Sequence, residues 1–182
     1  MTQRTGKVKA GTYDIDGATY SNTLASATLT AARTQTFPNV TGTVLSTGAA
    51  ATMSTPADPT GTTNTTGLMM GLAGAITPLM STRVCVTISG QMANNTINDG
   101  AGVKLRWGTG SAPANAAALS GTVVGAEQTM VSLVAAQKSG FSITAIISGL
   151  TVGTAIWLDA GLKAITAGTA TITGVTIASV EI

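Results

Sequence analysis

Apolar residues recur at every second position in several short runs of this chain, and that period constrains the fold more than any other feature. Val84, Val86 and Ile88 share one face of the run from Arg83 to Ser89. Val103, Leu105 and Trp107 share one face of the next clear run, with Lys104 and Arg106 on the other. Phe141, Ile143, Ala145 and Ile147 repeat the pattern, and Ile156 and Leu158 stand opposite Ala155 and Trp157. A period of two belongs to a pleated strand, whose side chains point alternately to its two faces. Turn-forming residues separate the runs at Asn94-Asn95, Asn98-Asp99-Gly100, Gly108-Thr109-Gly110, Ser139-Gly140, Ser148-Gly149 and Ala167-Gly168. Short strands punctuated in this way predict an all-β chain whose main body is an antiparallel sandwich. Residues 169–182 form a long run whose phase changes near Gly174, where a bulge would re-aim the side chains. The one helix candidate is Pro113 to Leu119, with proline at a first turn. Val84, Val86, Ile88, Val103, Leu105, Phe141, Ile143 and Ile147 are the expected core.

Composition supports strands and adds a statement about association. The chain holds 34 Thr, 29 Ala and 22 Gly among 182 residues. Threonine loses rotamer freedom in a helix, and glycine breaks helices and supplies turns. Only 9% of residues are charged, against roughly 25% in ordinary soluble domains. Burial of surface against copies of itself resolves that deficit, so a homo-oligomer is expected.

The pattern divides the chain into three parts. Residues 1–48 carry a few short extended candidates and little apolar content, so they read as an extended or β anchor segment ordered by neighbours. Residues 49–66, with Pro56 and Pro59 among small polar residues, read as a Pro/Thr-rich linker. Residues 67–182 read as the β-sandwich. Within the first part, Phe37, Val40 and Val44 are the candidate anchor and assembly residues.

Catalytic chemistry finds few carriers here. There is no histidine, and Cys85 is the single cysteine, so neither a Cys-His pair nor an intrachain disulfide is available. Asp14-x-Asp16-Gly17 resembles the start of a calcium loop, but the later ligands are missing. Glu127 and Asp159 would form a carboxylate pair only if the fold joined them. No catalytic residue, metal or cofactor is therefore expected. Trp107 and Trp157 are read first as core anchors and second as ligand or interface aromatics. The net charge of +2 gives no nucleic-acid footprint, and Arg4, Lys7 and Lys9 read as a solvated tail. The longest apolar stretch, Gly67 to Met80, is too short for a membrane span. Residues 1–12 lack a signal-peptide h-region, and the lack of disulfides fits folding in a reducing cytoplasm.

Two parts of the chain resemble proteins of tailed-bacteriophage particles. Residues 28–44, TLTAARTQTFPNVTGTV, resemble a segment that recurs in phage fibre proteins. The segments GQMANN at 90–95, VKLRWGTGSAPANAAALSGT at 103–122, SGLTVGTAIWLD at 148–159, AITAGTA at 164–170 and the terminal SVEI resemble a module of phage and prophage virion proteins. That resemblance implies a jelly-roll-like sandwich, a trimer, and a structural role as a capsid-attached decoration protein, head fibre or spike. The implied partners are copies of the chain itself and the major capsid protein or another virion protein. The implied location is the particle surface, after synthesis in the bacterial host cytoplasm. The alternative is a tail-associated fibre or receptor-binding protein that recognises a host surface glycan or protein.

Overall fold

The computed structural model describes Tyr13–Asp16, Ser21–Leu24 and residues 49–182. The chain forms two compact units, residues 1–44 and 45–182. In the first unit, β1 (Tyr13–Asp16) and β2 (Ser21–Leu24) pair antiparallel, with Tyr13 opposite Leu24 and Asp16 opposite Ser21.

The second unit holds nine strands and, among the described residues, no helix. They are β3 (Ala51–Ser54), β4 (Leu68–Met69), β5 (Gly74–Ile76), β6 (Val84–Asn94), β7 (Asp99–Thr109), β8 (Thr122–Ser132), β9 (Ser139–Ile147), β10 (Ile156–Ala164) and β11 (Ala170–Glu181). One sheet has the order β3-β11-β6-β9, and the other has β4-β10-β7-β8 with β5 also on β10. All described pairings are antiparallel. Counting β4 and β5 as one position gives eight positions in chain order, and the sheets then read 1-8-3-6 and 2-7-4-5. That interleaving is the jelly roll, two Greek keys wrapped into a sandwich.

The core lies between the sheets. Val84, Val86, Ile88, Phe141, Ile143 and Ile147 enter it from one side, and Val103 and Leu105 from the other, so all eight expected core positions are buried. Ile156, Leu158, Ala160, Leu162 and Ala164 of β10 join them. The phase change in β11 is present as well. The register shifts between Thr173 and Thr176, with Gly174 at φ 58°. Buried positions run Ala170 and Ile172 before the shift, then Val175 and Ile177 after it.

Two expectations are corrected. Residues 49–66 are not a free linker, because β3 within them is the first strand of the jelly roll. Ser54 pairs with Ile177 and Ala51 with Val180. Thr62 and Ala170 exchange backbone hydrogen bonds of 2.8 Å, and Asp58 accepts the Gly174 amide at 2.7 Å. β3 sits at a sheet edge with three of its four residues exposed, so no apolar alternation marks it. Its prolines lie after the paired stretch, where they remove no ladder bond. The other correction is Pro113 to Leu119, which is not helical. Ala116 donates to the Met69 carbonyl and Met69 to the Ala117 carbonyl, each at 2.9 Å. Edge pairing with β4 thus takes the backbone groups that a helix would have used.

Candidate functional site

The two outer faces of the sandwich differ in chemistry. Strands β3, β11, β6 and β9 contain a single charged residue, Glu181, which is buried. Side chains of two registers cross this sheet from edge to edge. One row is Met53, Ala178, Thr87 and Thr144, and the next is Ala51, Val180, Cys85 and Ile146. The Thr87 and Thr144 hydroxyls lie 2.9 Å apart, while Met53, Val180 and Ile146 are exposed. Cys85 is a free, half-buried thiol in this row.

The opposite sheet carries four charged side chains to its surface. Lys104 and Arg106 project from β7, Lys163 from β10 and Glu127 from β8. Lys104 faces Gly161 across one ladder, and Lys163 faces Gly102. Lys104 Nζ lies 2.9 Å from one Glu127 oxygen, and Lys163 Nζ lies 2.7 Å from the other. The second contact is an ion pair without hydrogen-bond alignment. Lys163 reaches Glu127 across β7 because position 102 has no side chain. A Cβ there would lie 2.6 Å from Glu127 Oε1 and 2.8 Å from Lys163 Cε. Gly161 plays the same part for Arg106, since a Cβ would lie 3.2 Å from Arg106 Nε and 2.9 Å from Leu119 Cδ2. Arg106 Nη1 donates to the carbonyls of Ser120 and Gly121 at 3.0 and 3.3 Å, and its buried Nε has no partner. Burial alone raises the Glu127 carboxyl, and the two lysines outweigh it and hold the group below its ordinary value. These side chains line a depression of about 260 Å³, bounded by Thr65, Thr66 and Gly67 and by the apolar Leu119.

The remaining acids of residues 49–182 hold backbone. Asp159 is fully buried and accepts the amides of Gly71, Leu72 and Ala160 at 2.9, 3.0 and 2.7 Å. Burial raises its carboxyl despite those bonds. Asp99 accepts Gly100 at 2.7 Å, Thr166 at 3.0 Å and also Ala167. Burial pushes that carboxyl up, and the amides prevail and lower it. Glu181 accepts Ala50 and Leu79 at 2.9 and 3.0 Å, and also Met80 and Ser81. Burial again works upward, and the four amides hold it down at about 2. Glu127 and Asp159 do not meet as a catalytic pair. Strand β7 lies between their strands, and each carboxylate is committed to other groups. Among the described residues, no three of His, Cys, Asp and Glu gather as metal ligands.

The tryptophans are placed as anchors. Trp107 is half-buried against the core. Trp157 is buried on the outer side of β10, and its Nε1 donates to the Thr109 carbonyl at 3.2 Å. It lies over Gly108, where a Cβ would come within 2.5 Å of its ring. Phe37, Val40 and Val44 lie outside the described residues. Sequence reading missed the Lys104–Arg106–Lys163–Glu127 cluster. The outward phase of Lys104 and Arg106 was visible, but the register that adds Lys163 and Glu127 was not.

No family model matches the chain, and no curated protein matches it. Among solved structures, the chain is similar to one from infectious bursal disease virus, Gx strain, at 13% identity and a TM-score of 0.47, covering 83% of this chain and 38% of that one. It is also similar to Eiger TNF from S. frugiperda, at 8% identity and a TM-score of 0.38, covering 73% of this chain and 85% of that one. The chain thus spans well under half the length of the virus protein it matches. At these scores the likenesses carry no argument about function.

Proposed function

We propose that this chain is a structural protein of a bacteriophage particle, carried on the head as a decoration protein, head fibre or spike and assembled as a trimer. The observation that carries the reading is the outer face of the β3-β11-β6-β9 sheet. Its strands present no charge outward and expose Met53, Val180 and Ile146. The buried centres of protein interfaces are depleted in charge in this way. A symmetric contact brings equivalent surfaces together, and a surface without charge meets its copy without repulsion. The resemblance to virion proteins falls on β7, on the loop that pairs with β4, and on β10. These are structural elements of the jelly roll.

In this reading residues 1–48 attach the protein to the major capsid protein or another virion protein, through Phe37, Val40 and Val44. Strand addition is the physical route, because an edge offers unpaired backbone groups. The protein works without catalysis, metal or cofactor, and it binds neither nucleic acid nor the membrane interior. It is made in the host cytoplasm and acts on the particle surface. The alternative is a tail-associated fibre or receptor-binding protein, and the charged depression on the other sheet favours it. Antibody against residues 49–182 on intact particles separates the two. Label over the head supports the proposal, and label confined to the tail overturns it in favour of the alternative.

A further inference from the structure

We propose that the depression over β7 and β10 binds a sugar acid, a single ring bearing one carboxylate. Three cations, Lys104, Arg106 and Lys163, surround one acid, Glu127. The local sum is three positive charges less one negative, an excess of two. An ammonium has three donors and no acceptor, so one shared carboxylate leaves donors of both lysines for a further anion.

Size and lining narrow the ligand further. A volume of about 260 Å³ lies at the small end of ligand pockets, fitting one ring better than an extended chain. Leu119, exposed among the large apolar side chains, supplies an apolar wall for ring carbons, and Thr65 and Thr66 lie at the rim. Gly102 and Gly161 keep the floor open, as a Cβ at either would crowd the charged side chains. The arrangement belongs to the 45–182 unit alone and holds whether the protein sits on a head or a tail.

Saturation-transfer NMR on the full chain tests this with methyl β-D-glucuronide, N-acetylneuraminate, methyl β-D-glucoside and sulfate. Ring-proton signals are expected from at least one of the two acids and not from the neutral glucoside. The acid that responds identifies a uronate or a sialate source. A charge-assisted contact contributes about tenfold or more in affinity, so Arg106→Gln and Lys163→Gln should each weaken binding by about that factor. Lys138→Gln, away from the site, should leave it unchanged. Far-ultraviolet spectra establish that each variant is folded, and Lys104→Gln replaces any that is not. Equal signals from the glucoside, or full binding by the folded variants, would overturn the proposal. So would displacement by sulfate at the sugar acid's own concentration, which would mark a general oxyanion site.

Discussion

The two outer faces of this sandwich rest on one core yet present opposite surfaces. The β3-β11-β6-β9 face is free of outward charge, while the β4-β10-β7-β8 sheet carries Lys104, Arg106, Lys163 and Glu127 outward. A charge-poor chain has thus not diluted its charges evenly. Within the strands of the sandwich, one sheet shows no charge on its outer face, and the other groups four charged side chains around glycines that let long side chains lie flat. Packing in the core does not require that division, because outward positions are free of it. The division separates the surface proposed for association from the surface proposed for an anion.

The largest effect should come from removing the strand that completes the uncharged face. Deletion of residues 1–48 leaves β3 in place, whereas deletion of residues 1–66 removes it and uncovers β11. The shorter deletion should unfold cooperatively near the full chain's melting temperature, and the longer one should lose its cooperative transition or aggregate. Equal melting temperatures would mean that β3 is an accessory to the face and not part of it.

Core truncation from either sheet comes next and tests whether the faces share one support. Ile88→Ala and Leu158→Ala, both at fully buried positions, should each cost about 2–5 kcal/mol in denaturant melts. A loss near zero at one of them would show that its sheet is packed independently.

Asp159→Asn should cost about 1–3 kcal/mol, because the amide would turn a donor toward the Gly71, Leu72 or Ala160 N–H groups. An unchanged midpoint would show that the loop before β5 needs no carboxylate.

Acid titration sharpens the comparison through carboxylates of opposite sign. Glu181 falls from its ordinary 4.5 to about 2 in the folded chain. It therefore stabilises fully above pH 4.5, and that contribution is lost as pH falls toward about 2. Asp159 is raised above its ordinary 3.8, so its ionisation costs stability above that value and its protonation in acid restores it. The melting temperature of Glu181→Gln should fall less steeply than that of the wild type between pH 4.5 and about 2, and that of Asp159→Asn should fall more steeply on acidification toward pH 3.8 and run parallel to the wild type below it. Parallel profiles for all three would contradict these assignments.

The smallest effect on stability should come from Thr87→Lys, at the centre of the uncharged face. A change of roughly 0.5 kcal/mol or less is expected for the fold, together with a fall to the monomer mass in light scattering if the proposed oligomer forms through this face. An intact oligomer would move the association surface elsewhere.

Period-two runs made the core legible in advance, because burial repeats at the pleat's own interval. Val84 to Ile88, Val103 to Leu105 and Phe141 to Ile147 announced their inward sides, and Gly174 announced the bulge in β11. β3 was not legible. An edge strand with exposed side chains carries no apolar pattern, and what holds it is hydrogen bonding to residues more than a hundred positions away. The run from Pro113 to Leu119 misled for the same reason, since its backbone partners on β4 lie outside any local window.

By itself, then, the sequence determined an all-β chain, the inward faces of its main strands, the low charge and the absence of histidine. These are properties of single residues and their local period. Only the tertiary structure decided which strands became neighbours. That register set Lys163 and Lys104 on one carboxylate across Gly102, committed Asp159 to the Gly71 and Leu72 amides, and gathered the uncharged outer positions of β3, β11, β6 and β9 on one face. Pairing between distant strands is a long-range choice, made by the packing of two whole sheets, and no local pattern encodes it.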